Sequence, residues 1–141
     1  MIDKIKQTLK DMTDAIQEQA ASFGDNAKEK GYQIIEEWLQ IFPKLEVYKL
    51  NITSFTLGVA ISPSVEVEMI GKHEDFTKER LQQILTEVST NAALKLVFNT
   101  INTTYALHRK TYATLREPLI VRVKIKLSPE VRVTIGGSQN P

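Results

Sequence analysis

The sequence contains no cysteine, which removes disulfides, thiolate nucleophiles and cysteine-based zinc sites together. It has only two histidines, His73 and His108. A metal site needs three or four converging ligands, and His73-Glu74-Asp75 is a run of neighbours that seldom meet on one ion. No Gly-rich phosphate loop, GxSxG or HExxH pattern is present, so neither a cofactor nor a catalytic role is expected. No stretch approaches the roughly 18 consecutive apolar residues of a membrane span. The opening MIDKIKQTLKDMTDAI has no continuous apolar core, so a secretory signal is not expected either. A chain without cysteine suits a reducing compartment, and a cytoplasmic setting is expected.

What is present is an ordinary globular composition, 42% apolar and 25% charged over 141 residues, the size of one domain. The net charge of +1 conceals a polarity: residues 1–75 hold 8 Lys/Arg against 13 Asp/Glu, and residues 76–141 hold 10 against 4. Either the basic half meets an anionic partner or the halves face each other.

An internal repeat chooses between these. ISPSVEVEMIG (residues 61–71) and LSPEVRVTIGG (residues 127–137) share Ser-Pro, two valines and a glycine at matching places. The match extends upstream, with Leu57, Val59 and Ile61 falling on Val123, Ile125 and Leu127. Each copy reads as strand, short turn and strand, and each follows a helical stretch. Glu66 of the first copy becomes Arg132 in the second. If the two hairpins are neighbours, Glu66 and Glu68 can pair with Arg122, Lys124, Lys126 or Arg132, which explains the polarity without a ligand.

Around the repeat the period changes from helical to alternating. Ile2, Ile5, Leu9, Met12 and Ile16 step by three and four, a narrow stripe on an otherwise polar helix. Gly24-Asp25-Asn26 interrupts it, although Phe23 and Ala27 stay in phase, so one kinked helix and two separate helices both fit. Ile34, Ile35, Trp38, Leu39 and Phe42 form a wider face that should end before Pro43. From Leu45 the period is two, with parity slips between Val47 and Leu50 and between Ile52 and Phe55 that predict a bulge or a bend. Asp75 should cap a long helical segment from Phe76 to about Leu115, kinked at Ser89-Thr90-Asn91. Its Asn99–Thr104 run has poor helix propensity and needs packing to hold it.

The expected fold is therefore α+β and two-layered: an antiparallel sheet of about four strands from two repeated hairpins, residues 55–71 and 119–136, with long helices on one face. Residues 1–24 form an arm, 25–137 the domain and 138–141 a frayed tail. The core face of the sheet should carry Phe55, Leu57, Val59, Ile61, Val65, Val67, Met69, Val121, Val123, Ile125, Leu127, Val131, Val133 and Ile135. The wet face carries Glu66, Glu68, Arg122, Lys124, Lys126 and Arg132.

A non-catalytic cytoplasmic assembly module is the function this pattern supports, with a second copy of the chain as partner. The stripe Ile2, Ile5, Leu9, Met12 and Ile16 is the self-association surface, because a narrow stripe suits another helix better than a broad sheet. The alternative is a carrier of an apolar, lipid-like small molecule held between helices and sheet. A further alternative is weak phosphate or nucleic-acid binding by Arg122, Lys124, Lys126 and Arg132. Nucleic acid is the least expected partner, since that face has no aromatic platform for base stacking.

Overall fold

The computed structural model describes residues 25–137; the arm, with its Ile2–Ile16 stripe, and the tail lie outside the described residues. The first helix, α1, spans Asp25–Val47. Tyr32, Ile35, Trp38, Phe42 and Leu45 are buried along it at steps of three and four. The expectation that the helix stops before Pro43, with Leu45 and Val47 opening a strand, is corrected. A proline inside a helix removes one hydrogen bond and crowds the carbonyl four residues back. Burial of Phe42 and Leu45 on either side of the exposed Pro43 outweighs that cost.

The helix then ends in a Schellman turn. Leu50 N–H donates to the Leu45 carbonyl (3.1 Å), Lys49 N–H donates to the Glu46 carbonyl (3.0 Å), and Lys49 takes the left-handed φ of 78°. Leu45 and Leu50, the pair such turns bring together, are both fully buried. The parity slip between Val47 and Leu50 is thus a helix terminus and not a bulge.

Strand β1 (Asn51–Val59) pairs antiparallel with β2 (Pro63–Gly71). The register shifts between Ile52 and Ser54, where the second parity slip predicts a bulge. Thr53 is the extra residue, and its hydroxyl lies 3.0 Å from the Glu68 carboxylate. Strand β3 (Leu119–Ile125) pairs with β2 and with β4 (Pro129–Ile135), giving the order β1-β2-β3-β4. The two hairpins are neighbours through β2 and β3: Val67 faces Val123, Glu66 faces Lys124, and Glu68 faces Arg122.

Between the hairpins the expected long helix is two helices, α2 (Lys78–Glu87) and α3 (Ala92–Arg109), preceded by a single 3-10 turn at His73–Asp75. Three expectations are corrected here. The cap of α2 is Thr77, whose hydroxyl accepts from Arg80 N–H (3.2 Å), and not Asp75. The Ser89–Asn91 region is a full break, because the Asn91 side chain caps a new helix by accepting from Leu94 N–H (3.0 Å). The second helix stops at Arg109 and not near Leu115. Its Asn99–Thr104 run is helical, as the buried Phe98, Ile101 and Tyr105 require, and Thr100 and Thr104 return their hydroxyls to carbonyls four residues back.

The helices cover one face of the sheet. Helix α1 lies mainly over β2 and reaches β1 and β3, α3 lies over β4, and α2 packs against α3. Val65, Val67, Met69, Leu119, Val121, Val123 and Ile125 are buried beneath them, and Val131, Val133 and Ile135 are partly buried. Five expected core residues are not core: Phe55, Leu57 and Leu127 are 53%, 37% and 45% exposed, and Val59 and Ile61 are only partly buried, outside the core cluster. Phe55 and Leu57 lie on the helix-facing side, but β1 is an edge strand that α1 touches without covering them, and Leu127 lies in the turn beyond β3. Conversely, Ile120 on the outer face is buried, in a row with Ile70 and Thr134.

The glycine shared by the two repeats has a packing cause in the first copy. A Cβ on Gly71 would sit 2.8 Å from Phe76 Cε2, 3.1 Å from Leu50 Cδ2 and 3.3 Å from the Lys49 carbonyl. Phe76 and Leu50 are both buried and have nowhere to retreat. Gly71→Ala is expected to lower unfolding free energy by about 1–3 kcal/mol in urea denaturation. A midpoint unchanged from the parent would contradict the crowding.

Candidate functional site

Three surfaces carry chemistry, and the edge strand is the first. The segment Asn51–Val59 contains no charged residue and no proline, and residues 53–57 are all exposed. Alternation along β1 sets Phe55 and Leu57 on the helix-facing side, in rows with Val67 and Val65. Leu127, two residues beyond Ile125 in the turn after β3, is also exposed. The first half of α1 rests on the turn end of the sheet: a Cβ on Gly31 would lie 3.3 Å from Pro63 Cδ and 3.7 Å from the Lys126 carbonyl. Sequence periodicity assigned Phe55 and Leu57 to the core because it reads the face of a strand but not its place in the sheet.

The outer face is a ladder of mixed sign. Glu66, Lys124 and Glu130 lie in one row, and Ser54, Glu68, Arg122 and Arg132 in the next. Arg122 forms an ion pair with Glu68 (2.9 Å), and Arg132 Nε donates to Glu130 (2.9 Å). Lys126 lies in the turn beyond β3. Three of the four basic residues of the anion-binding reading, Arg122, Lys124 and Arg132, are thus brought to one face, with three carboxylates interleaved among them. These are exposed pairs that contribute little to stability, so their main effect is to cancel the local field.

The third surface centres on His73, which sequence reading treated as part of a helix-capping turn. It is buried, and both ring nitrogens are engaged. Nε2 lies 2.6 Å from the Arg116 carbonyl, which can only accept, so Nε2 carries the proton. Nδ1 then accepts from the Tyr105 hydroxyl at 2.7 Å. The His73 backbone N–H donates to the Glu117 carboxylate (3.2 Å), whose oxygen also comes within 4.0 Å of Nε2. One side chain therefore ties the turn after β2 to α3 and to the connection leading into β3. Burial, reinforced by the Glu117 charge, pushes the Tyr105 phenol well above its usual value. His108 and Arg109 occupy the last turn of α3 as expected. They border a cleft of about 420 Å³ lined also by Lys78, Leu81 and Tyr112.

A second open cleft, of about 480 Å³, has Lys44 and Leu94 on its walls. There the Tyr48 hydroxyl donates to Glu87 (2.9 Å) and the Arg80 guanidinium sits 5.8 Å from the Tyr48 ring centroid. Among the described residues no side-chain N or O is buried without a hydrogen-bond partner. Nor do three or more His, Asp or Glu gather there as metal ligands. No helix among those residues is long and apolar enough to cross a membrane. No protein-family model, curated protein or solved structure matches the chain.

The His73 cluster gives two measurable consequences. Tyr105→Phe leaves Nδ1 buried without its donor and is expected to cost about 1–3 kcal/mol at neutral pH in chemical denaturation. The raised Tyr105 pKa means that the folded state holds its proton where the unfolded phenol releases it. That stability is complete below the unfolded value near pH 10 and is lost as pH climbs above it. Unfolding measured between about pH 9 and 11 should show a shallower alkaline loss in Tyr105→Phe than in the parent. Equal slopes would remove Tyr105 from the account.

Proposed function

We propose that the chain is a non-catalytic assembly module that associates with a second copy of itself in the cytoplasm, using its amphipathic N-terminal stripe and the open apolar strip on β1. The observation that carries this reading is the strip: Phe55 and Leu57 face the helical side of the sheet without a helix over them. A large aromatic and a leucine left open on a core face favour a protein partner over solvent. Two features support a partner identical to the chain. The stripe of Ile2, Ile5, Leu9, Met12 and Ile16 has the three-four spacing of helix pairing, and closed two-fold dimers are the commonest oligomers. The first half of α1, which the stripe precedes in sequence, packs against Pro63 at the end of the sheet where Leu57 is open. A non-catalytic role is supported by the commitment of the His73 ring to the Tyr105 hydroxyl and the Arg116 carbonyl, which leaves neither of its nitrogens free to act as a base.

Sedimentation of the full chain across a concentration series tests the reading. The parent should run at twice the chain mass, and the pair Leu9→Glu with Met12→Glu should weaken association by at least about tenfold. A parent that remains a single chain up to about 100 μM would sink the proposal.

A further inference from the structure

The self-association proposed above leaves open how two copies meet, and the edge of the sheet answers that. We propose that β1 pairs antiparallel with β1 of a second copy, joining two four-stranded sheets into one of eight strands. This inference rests on the self-association reading and specifies its interface.

Every sheet that is not closed has two edges, and an edge strand presents unpaired N–H and C=O groups to any other chain. Proteins ordinarily blunt such edges with charge, proline or bulges. The edge at β4 is blunted in this way, with Pro129 at its start and Glu130 and Arg132 along it. The edge at β1 is blunted only at its start, where the Glu46 carboxylate accepts from Ile52 N–H (3.3 Å). It runs nine residues without charge or proline, and its one irregularity, between Ile52 and Ser54, leaves Ser54–Val59 in regular register with β2. The contrast between the two edges of one sheet marks β1 as the edge that is meant to be occupied.

The chemistry of β1 also fits itself. A two-fold axis brings like residues close to like, so a charged strand would face its own charge near the axis. Thr53, Ser54, Phe55, Thr56 and Leu57 can meet their copies without repulsion, the hydroxyls on one face and the apolar side chains on the other. Antiparallel edge pairing requires an axis normal to the sheet, which keeps both helical layers on the same side. Phe55 and Leu57 from both copies then meet in one apolar floor between the two α1 helices. Backbone pairing alone buries little area, and this merged strip supplies the apolar contact that a stable dimer requires.

Because the chain has no cysteine, a single introduced one reports its own neighbourhood. Full-length Ser54→Cys and Thr56→Cys place a thiol on exposed β1 positions, and Arg132→Cys does so on β4. Under mild oxidation at a concentration where the parent is dimeric, one or both β1 variants should form covalent dimers about tenfold faster than the β4 variant. Hydrogen exchange of the cysteine-free parent should show amides of residues 54–58 slowing as concentration rises through the dimerisation range. Dimers that form with no change in β1 exchange and no preference for β1 cysteines would overturn edge pairing while self-association stands. A parent that never dimerises removes both.

Discussion

The pairing of β2 with β3 is the contact on which the rest of this structure depends. These strands come from hairpins separated by two helices, and their register sets Val67 against Val123 on one face and Glu68 against Arg122 on the other. The inner residues give the helices a continuous floor in which Val67, Met69, Val121 and Val123 have no solvent exposure at all. The outer residues set Glu66 and Glu68 of the acidic half against Lys124 and Arg122 of the basic half. Without this pairing each hairpin would be a two-stranded ribbon, which is marginal in water.

A second constraint holds the helices to that floor. His73 leaves β2, reaches α3 through Tyr105 and fixes the segment before β3 through the Arg116 carbonyl and Glu117. It therefore closes the path between the two hairpins, and its polar atoms are satisfied within the fold. Buried histidines with two such partners orient backbone; their identity as a titratable group is incidental to that task. Function is then sought where the fold is incomplete, and the incompleteness is at β1, where the helical layer ends.

Much of the fold was legible in the sequence, and specific residues show why. The hairpin repeat, the alternation in β3 and β4, and the bulge next to Thr53 were readable because side-chain direction in a strand has a period of two. The repeat offered Glu66 and Glu68 any of Arg122, Lys124, Lys126 and Arg132 as partners, and the register of β2 with β3 selects Lys124 and Arg122. Misreadings arose where packing overrode local preference. Pro43 lies inside α1 because Phe42 and Leu45 are held in the core, and α2 and α3 are separate because Asn91 caps the second. His73 was read as part of a turn because its partners, Tyr105 and Arg116, are distant in sequence.

The candidate surface divides along the same line. Sequence alone determined that Phe55 and Leu57 lie on the helix-facing side, and that β1 carries neither charge nor proline, since both follow from residue order. Leu57 and Val59 match Val123 and Ile125 in the repeat, and nothing in the letters separates the two pairs. Only the tertiary structure decided that β3 is central and β1 is an edge, so that Val123 is sealed while Leu57 is open. The physical reason is that alternation encodes a face, whereas burial depends on which neighbours arrive on either side of the strand and above it.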